Sequence, residues 1–141
     1  MKEKQFFICS HGHFCEAIVH SAEMIIGPMP DVKAFPLLPG MSVEEYLALL
    51  VQAVDAAKDT ICLVDLFGGT PCNSAMLLSK TANNQVVTGV NLAILLEMYM
   101  QKDMLETQEL VEHGVEVGQH SVKNVMELAN KRAGGEEHGK N

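Results

Sequence analysis

The sequence predicts an α/β fold, namely a doubly wound, mainly parallel four-stranded sheet of order 2-1-3-4 with helices on both faces. Short apolar runs alternate with segments of helical periodicity, which is the pattern of repeated βα units. The run Ile61–Val64 is apolar throughout, as is typical of a strand buried on both faces of a parallel sheet. Pro36 in the second run cannot donate to a strand ladder, so we place that strand at an edge beside strand one. Strand three then lies on the other side of strand one.

The first half of the chain divides into two βα units. The predicted elements are strand Phe6–Cys9, helix Phe14–Ile26, strand Val32–Leu38 and a helix that opens at Ser42. Gly27-Pro28 ends the first helix, because proline cannot continue it. Ser42 and Glu45 have the spacing of a capping box, which marks the start of the second helix.

The second half continues the alternation. The predicted elements are strand Ile61–Val64, helix Pro71–Ala82, strand Val86–Val90 and a helix capped by Asn91. Thr70 is the expected N-cap of the helix that starts at Pro71, where the missing proline N–H costs nothing. Further on, Val111 and Val115 fit another helix that ends near Gly118.

The chain is expected to form one domain, residues 1–130, followed by a flexible tail over residues 131–141. The tail is rich in glycine and glutamate and has no apolar periodicity. Before it, Val122, Val125 and Met126 stand at helical spacing within residues 121–129.

Composition excludes several classes of function. The chain has 141 residues and a formal net charge of -8, and no basic stripe is available to neutralise nucleic-acid phosphates or to hold an anionic membrane. We expect no membrane insertion, because no segment approaches the roughly 18 apolar residues of a membrane span. The N-terminus does not resemble a signal peptide. The four cysteines form no C-x-x-C pair, so we expect free thiols and a cytoplasmic protein.

Two motifs follow the strands that bracket the switch point of this sheet. His11 follows strand one and Asp65 follows strand three, and ligands of such sheets bind at the carboxyl ends of these strands. Gly68-Gly69 makes a turn before Thr70, and a helix that starts there presents unpaired backbone N–H groups. The sequence therefore predicts an anion site that contains a histidine and a carboxylate.

The chemistry expected of this site is phosphoryl transfer. If Asp65 accepts from Nδ1–H of His11, Nε2 is left unprotonated as a nucleophile, and the carboxylate stabilises the ring after transfer. The N–H groups of Gly68 and Gly69, the Thr70 hydroxyl and the helix dipole would then hold the phosphoryl oxygens. We expect no metal and no cofactor.

Four other interpretations compete with this one. The two residues can be a plain strand-end histidine and a helix-capping acid. The second is a metal site formed by residues that alternate along the sequence, namely Cys9, His11, His13 and Cys15. Zinc sites generally show tighter paired spacings, which disfavours it. A phosphorylated Asp65 is the third, but it would need an acidic pair after strand one to hold Mg²⁺. The fourth is a non-catalytic regulatory module that binds a small phosphorylated ligand at the same anion site.

Three motifs together resemble one protein family. They are Ser10-His11-Gly12 after strand one, LVDLFGGTP at Leu63–Pro71 and GVN at Gly89–Asn91. The combination resembles the IIA component of the mannose class of the bacterial sugar phosphotransferase system, the group that serves mannose, fructose, sorbose and N-acetylgalactosamine. The resemblance implies that His11 is the phospho-acceptor, that Asp65 orients its ring and that Thr70 contacts the phosphate.

The resemblance also implies partners. The carrier protein HPr would phosphorylate His11, and a IIB component would pass the group on to an incoming sugar, with IIC and IID membrane components downstream. No Ala/Pro-rich linker precedes Asn141, so we expect IIB on a separate polypeptide. Family members form homodimers by exchanging an antiparallel strand. Here that strand falls on Ser121–Met126, where the spacing alone predicts helix.

Overall fold

The computed structural model describes residues 1–80 and 83–138. Its elements are, in chain order, β1 (Lys4–His11), α1 (Phe14–Ile26), β2 (Val32–Leu37), α2 (Val43–Ala53), β3 (Asp59–Val64), α3 (Gly69–Leu78), β4 (Asn84–Thr88), α4 (Leu92–Gln101), α5 (Thr107–Ser121) and α6 (Val125–His138). The four strands are parallel and lie in the order β2-β1-β3-β4. The predicted fold class and strand order are confirmed.

The sheet separates two apolar layers, because alternate residues of β1 and β3 point to opposite faces. On one face Phe6, Ile8, Ile61 and Leu63 pack with α1, α4 and α5. On the other face Phe7, Cys9, Cys62 and Val64 pack with α2 and α3. The two central strands are therefore buried on both sides, as their apolar sequences predict, and their carboxyl ends are held rigidly at one edge of the sheet.

The start of α3 differs from the sequence prediction. The helix begins at Gly69 with Gly68 as its N-cap, two residues before the predicted start at Pro71, and the prediction of Thr70 as N-cap was wrong. The cause is the glycine pair, because Gly68 and Gly69 both have positive φ (88° and 79°) and turn the chain before Thr70 is reached.

The end of α3 and the position of β4 also differ slightly. α3 ends at Leu78, where the Ser79 N–H donates to the Met76 carbonyl (3.2 Å), a three-residue bond that tightens the last turn. The predicted end at Ala82 lies outside the described residues. β4 ends at Thr88, before the predicted Val90, because Gly89 adopts a positive φ of 73°.

The C-terminal part holds the largest difference. The strand that the resemblance implies for Ser121–Met126 is absent from this single chain, where Ser121 ends α5 and Val125 begins α6. Residues 125–129 follow the local helical spacing, whereas residues 122–124 are neither helix nor strand. The exchange itself, which needs that second chain, stays a prediction.

The predicted tail over 131–141 is helical as far as His138, and residues 139–141 lie outside the described residues. The Asn124 side chain accepts from the Glu127 N–H (3.0 Å) and caps this helix, and Lys131 pairs with Glu127 one turn away (3.3 Å). Within residues 1–80 and 83–138, no helix has the length and apolar character needed to span a bilayer.

Candidate active site

The carboxyl ends of β1 and β3 meet at the switch point of the sheet. His11 is the last residue of β1, and Asp65 directly follows β3. The Asp65 backbone N–H donates to the Cys9 carbonyl (3.1 Å), which extends the pairing of the two strands by one residue. The structure thereby brings together the two residues that the sequence places at separate strand ends.

One oxygen of Asp65 holds His11 at two points. Asp65 Oδ2 accepts from the backbone N–H of His11 (2.9 Å) and lies 2.8 Å from its ring Nδ1, while Oδ1 accepts from the Leu66 N–H (3.0 Å). A carboxylate only accepts, so in the neutral ring Nδ1 carries the proton and Nε2 has a free lone pair. The Asp65 side chain is 14% exposed and that of His11 51%, so the nucleophilic nitrogen is accessible while its orienting acid is covered.

The glycine turn lies against the free nitrogen. A Cβ atom built on Gly69 would stand 3.1 Å from Cε1 and 3.3 Å from Nε2 of His11. At Gly68 the same construction meets nothing within 4 Å. Gly69 is therefore the residue at which a side chain would occupy the space beside Nε2.

The N-terminal end of α3 faces the same nitrogen, since Gly69 is its first residue. The first four N–H groups of a helix have no partner within the helix, and together with the helix dipole they favour an anion. Thr70 lies in this first turn and is partly exposed. A phosphoryl group on Nε2 would thus be near backbone donors without any basic side chain in either motif.

Lysines instead gather at the opposite end of the sheet. Lys58 and Lys102 pair with Asp31, which precedes β2 (3.3 and 4.0 Å). Lys4 donates there to the Lys102 carbonyl (2.7 Å). The positive side of the candidate site therefore comes from backbone dipoles, whereas these lysines neutralise carboxylates at the amino ends of the strands.

The four residues of the alternative metal site lie in different parts of the fold. Cys9 packs in the layer with α2 and α3, and Cys15 packs in the layer with α1. His11 is bound to Asp65, and His13 Nδ1 lies 2.5 Å from Glu16 Oε1. In the described part of the chain, no group of three or more His, Cys, Asp or Glu side chains has the arrangement of a metal site.

Two cysteine thiols, those of Cys15 and Cys62, are poor competitors for the nucleophilic role. Burial raises the pKa of the Cys15 thiol. A hydrogen bond with Cys9, together with burial, raises the pKa of Cys62 well above its ordinary value. Both thiols are protonated at neutral pH, and a protonated thiol is a weak nucleophile.

Two features of the site were missed in the sequence. Phe67, Leu66 and Phe14, which lie close to Asp65 or His11 in the sequence, are exposed apolar residues (82%, 51% and 46%). Ser10 is fully buried, and its hydroxyl bonds within the turn that follows His11. Ser10 stands in the Ser10-His11-Gly12 motif, but the sequence does not show which backbone groups its hydroxyl bonds, and no pattern singled out the exposed apolar residues.

The fold and the site together define a class of α/β protein. In this class a carboxylate orients a histidine, and the histidine faces the N-terminus of a helix at the switch point of the sheet. The chain matches the family model described as PTS system fructose IIA component (EIIA-man) over residues 5–115. It is 34% identical over 122 residues to the mannose-specific EIIAB component of Escherichia coli, covering 82% of this chain and 38% of that protein. It is 30% identical over 128 residues to the fructose-specific EIIA component of Bacillus subtilis, covering 88% of each.

Solved structures agree with this assignment. An EIIA component from Streptococcus agalactiae superposes with a TM-score of 0.82 at 28% identity, covering 87% of this chain and 98% of that one. The mannose/sorbose-specific IIA subunit from Enterococcus faecalis gives 0.78 at 32% identity, covering 88% and 95%. The chain belongs to the mannose-class EIIA family of the phosphotransferase system. EIIA components are phosphotransferases that act through a phosphohistidine intermediate.

Proposed function

We propose that this protein is a phosphocarrier that accepts a phosphoryl group from phosphorylated HPr on His11 and passes it to a IIB component. The observation that carries the proposal is the contact of Nδ1 with Asp65 (2.8 Å), which leaves Nε2 free beside Gly69. Membership of the EIIA family supports the choice of partners. IIC and IID membrane components would stand downstream, where the sugar is taken up.

The transfer needs little covalent chemistry from the protein. The Nε2 lone pair of His11 forms the bond to phosphorus while the bond between phosphorus and the donor breaks, and that electron pair leaves with the donor. The proton on Nδ1 stays on the ring, so the phosphorylated ring keeps a formal positive charge that faces the Asp65 carboxylate. Gly68, Gly69 and Thr70 supply donors for the phosphoryl oxygens. Catalysis then comes from position and fixed dipoles.

A cytoplasmic location fits this role. All four cysteines, Cys9, Cys15, Cys62 and Cys72, are free and buried. Unpaired thiols are the usual state in a reducing compartment. HPr and IIB would be met there as separate proteins.

We further propose that the protein works as a homodimer. In the part of the chain that the structure describes, β4 pairs only with β3 and leaves its other edge open. A groove of about 610 Å³ lies along this edge, lined by apolar residues that include Val86, Val87 and Val115. Val122 and Met126 are 83% and 71% exposed, and a second copy would bury them.

The proposed function is tested by intact-mass analysis after incubation with phosphoenolpyruvate, enzyme I and HPr. The wild type is expected to gain one phosphoryl group that is lost in acid, and His11→Ala is expected to gain none. His13→Ala is the matched control, because His13 also bonds a carboxylate through Nδ1 and lies two residues away.

A phosphorylated His11→Ala protein would overturn the assignment of the acceptor. No mass gain on the wild type, with enzyme I and HPr shown to be active, would overturn the carrier function. Saturable binding of a small phosphorylated ligand in that case would support the regulatory module.

A further inference from the structure

A buried hydroxyl closes the turn that carries His11. Ser10 is fully buried, at 0% exposure, next to the end of β1. Its Oγ donates to the Gly12 carbonyl (3.0 Å) and accepts from the backbone N–H of Cys15 (2.9 Å). Ser10 therefore links the end of β1 to the first turn of α1, and His11 and Gly12 lie inside the link.

This hydroxyl takes the place of a side-chain N-cap for α1. His13 occupies the N-cap position, but its side chain makes no capping bond and contacts Glu16 instead. A helix start normally has its second or third N–H bonded to the N-cap side chain. Here the second N–H, that of Cys15, is bonded to Ser10. The strand end and the helix start consequently share one hydroxyl and are held at a set spacing.

The orientation of His11 depends on the backbone of this turn. Its ring is half exposed, so packing alone does not hold it. Asp65 Oδ2 must lie within reach of both the His11 backbone N–H (2.9 Å) and Nδ1 (2.8 Å). From the side of β2, the Leu37 carbonyl accepts from the Gly12 N–H (2.9 Å). From the side of α1, Ser10 bonds the carbonyl of the same residue, so both backbone polar groups of Gly12 are held.

We infer that Ser10 is a positioning residue for phosphoryl transfer at His11, which rests on the proposed function. Its hydroxyl keeps the His11–Gly12 backbone where one carboxylate oxygen accepts from two N–H groups. Without the hydroxyl, the Gly12 carbonyl and the Cys15 N–H lose their common partner, and the turn relaxes. Transfer then slows, because a misplacement of about 1 Å can reduce a rate by about 100-fold.

The test compares Ser10→Ala, Ser10→Thr and Ser42→Ala with the wild type. Ser42→Ala is the matched control, because the Ser42 hydroxyl also accepts from an N–H in the first turn of a helix (Glu45, 3.1 Å) but lies outside the site. The measurements are the single-turnover rate of phosphorylation by phosphorylated HPr, the urea midpoint of unfolding, and the fraction of the Nδ1–H tautomer of His11 from ring ¹⁵N shifts.

Ser10→Ala is expected to lower the transfer rate by about 10-fold, within the range known for displaced catalytic groups, and to lower the Nδ1–H fraction. Ser42→Ala should lower the urea midpoint but transfer at the wild-type rate. Ser10→Thr keeps a hydroxyl and should restore both the transfer rate and the Nδ1–H fraction to the wild-type values. If threonine disturbs the buried site, the comparison of Ser10→Ala with Ser42→Ala still decides whether Ser10 positions His11.

Equal transfer rates and equal tautomer fractions in Ser10→Ala and Ser42→Ala would overturn the inference. A wild-type protein that accepts no phosphoryl group would instead overturn the proposed function. The tautomer fractions, measured without any partner protein, would in that case still decide whether Ser10 positions the ring.

Discussion

At the scale of single residues, the site depends on how many hydrogen bonds one carboxylate can accept. Asp65 accepts from three groups, namely the His11 backbone N–H, the His11 ring and the Leu66 N–H. All three donors point at the carboxylate, and none of its oxygens needs to donate. A residue that is isosteric but carries donors therefore cannot satisfy the same three groups.

Asp65→Asn is expected to keep the fold and slow phosphorylation by about 100-fold or more, in the range that positioned acid–base groups contribute. Whichever way the amide turns, its NH₂ group faces an N–H donor, of Leu66 or of His11, and the Nδ1–H tautomer loses its support. The measurement is the single-turnover phosphorylation rate. Asp31→Asn is the control, since Asp31 pairs with Lys58 at the other end of the sheet. Equal rates for the two variants would contradict the role of Asp65.

The two glycines of the turn allow a sharper comparison. Gly68 and Gly69 both have positive φ, so alanine at either position is strained by about 1–3 kcal/mol. Only at Gly69 does the new methyl group approach His11 Nε2, at 3.3 Å from built Cβ to nitrogen. We expect Gly69→Ala to block phosphorylation much more than Gly68→Ala at a similar loss in urea midpoint. Equal loss of activity would show that backbone strain, and not the space beside Nε2, governs the reaction.

At the scale of elements, α5 is held against α4 by small residues. A Cβ on Gly114 would overlap the Met98 side chain, and one on Gly118 would lie 2.6 Å from Ile94 Cδ1. Met98 and Ile94 are buried, so neither can move far. This contact fixes α5 over the sheet, and α5 in turn forms one wall of the groove along β4.

Gly114→Ala is expected to destabilise the fold by about 1–3 kcal/mol, because overpacking a close helix contact forces side chains from their preferred positions. Gly134→Ala is the control, since a Cβ there meets nothing within 4 Å and alanine favours helix by about 0.5–1 kcal/mol. The measurement is the free energy of unfolding in urea. A neutral Gly114→Ala would mean that Met98 repacks freely.

At the scale of the whole molecule, the C-terminal part has apolar side chains that the rest of the chain leaves uncovered. Val122, Val125 and Met126 are all more than two-thirds exposed, at 83%, 69% and 71%. They follow α5, which lies beside the open edge of β4. Burial of such a set against a second copy would remove apolar area from water, which is the main driving force of association.

Met126→Asp is expected to shift the protein from dimer towards monomer in sedimentation analysis. Met24→Asp is the control, because Met24 is even more exposed (81%) but lies on α1, away from β4. A wild type that sediments as a 15.4 kDa monomer at all concentrations would refute the dimer. Equal effects of the two variants would place the interface elsewhere.

The boundaries of the elements show where sequence reasoning succeeds. The starts of α1, β2 and α4 were predicted to the residue, because apolar periodicity and caps are local features. The start of α3 was missed by two residues, because the cap of that helix is a glycine and not the threonine that follows it. Apolar spacing indicated helix within residues 121–129, where α6 begins at Val125, whereas the helix over residues 131–138 was missed, because that glycine-rich stretch has no apolar periodicity.

By itself, the sequence determined the strand order and the meeting of His11 with Asp65. Apolar runs and an edge proline are properties of single segments, and the rules of parallel sheets convert them into positions. Only the tertiary structure decided that one oxygen of Asp65 bonds His11 twice, that Gly69 adjoins Nε2 and that Ser10 closes the turn. These are distances of a few ångströms between groups on different elements, and they are set by how the chain packs and not by the type of each residue.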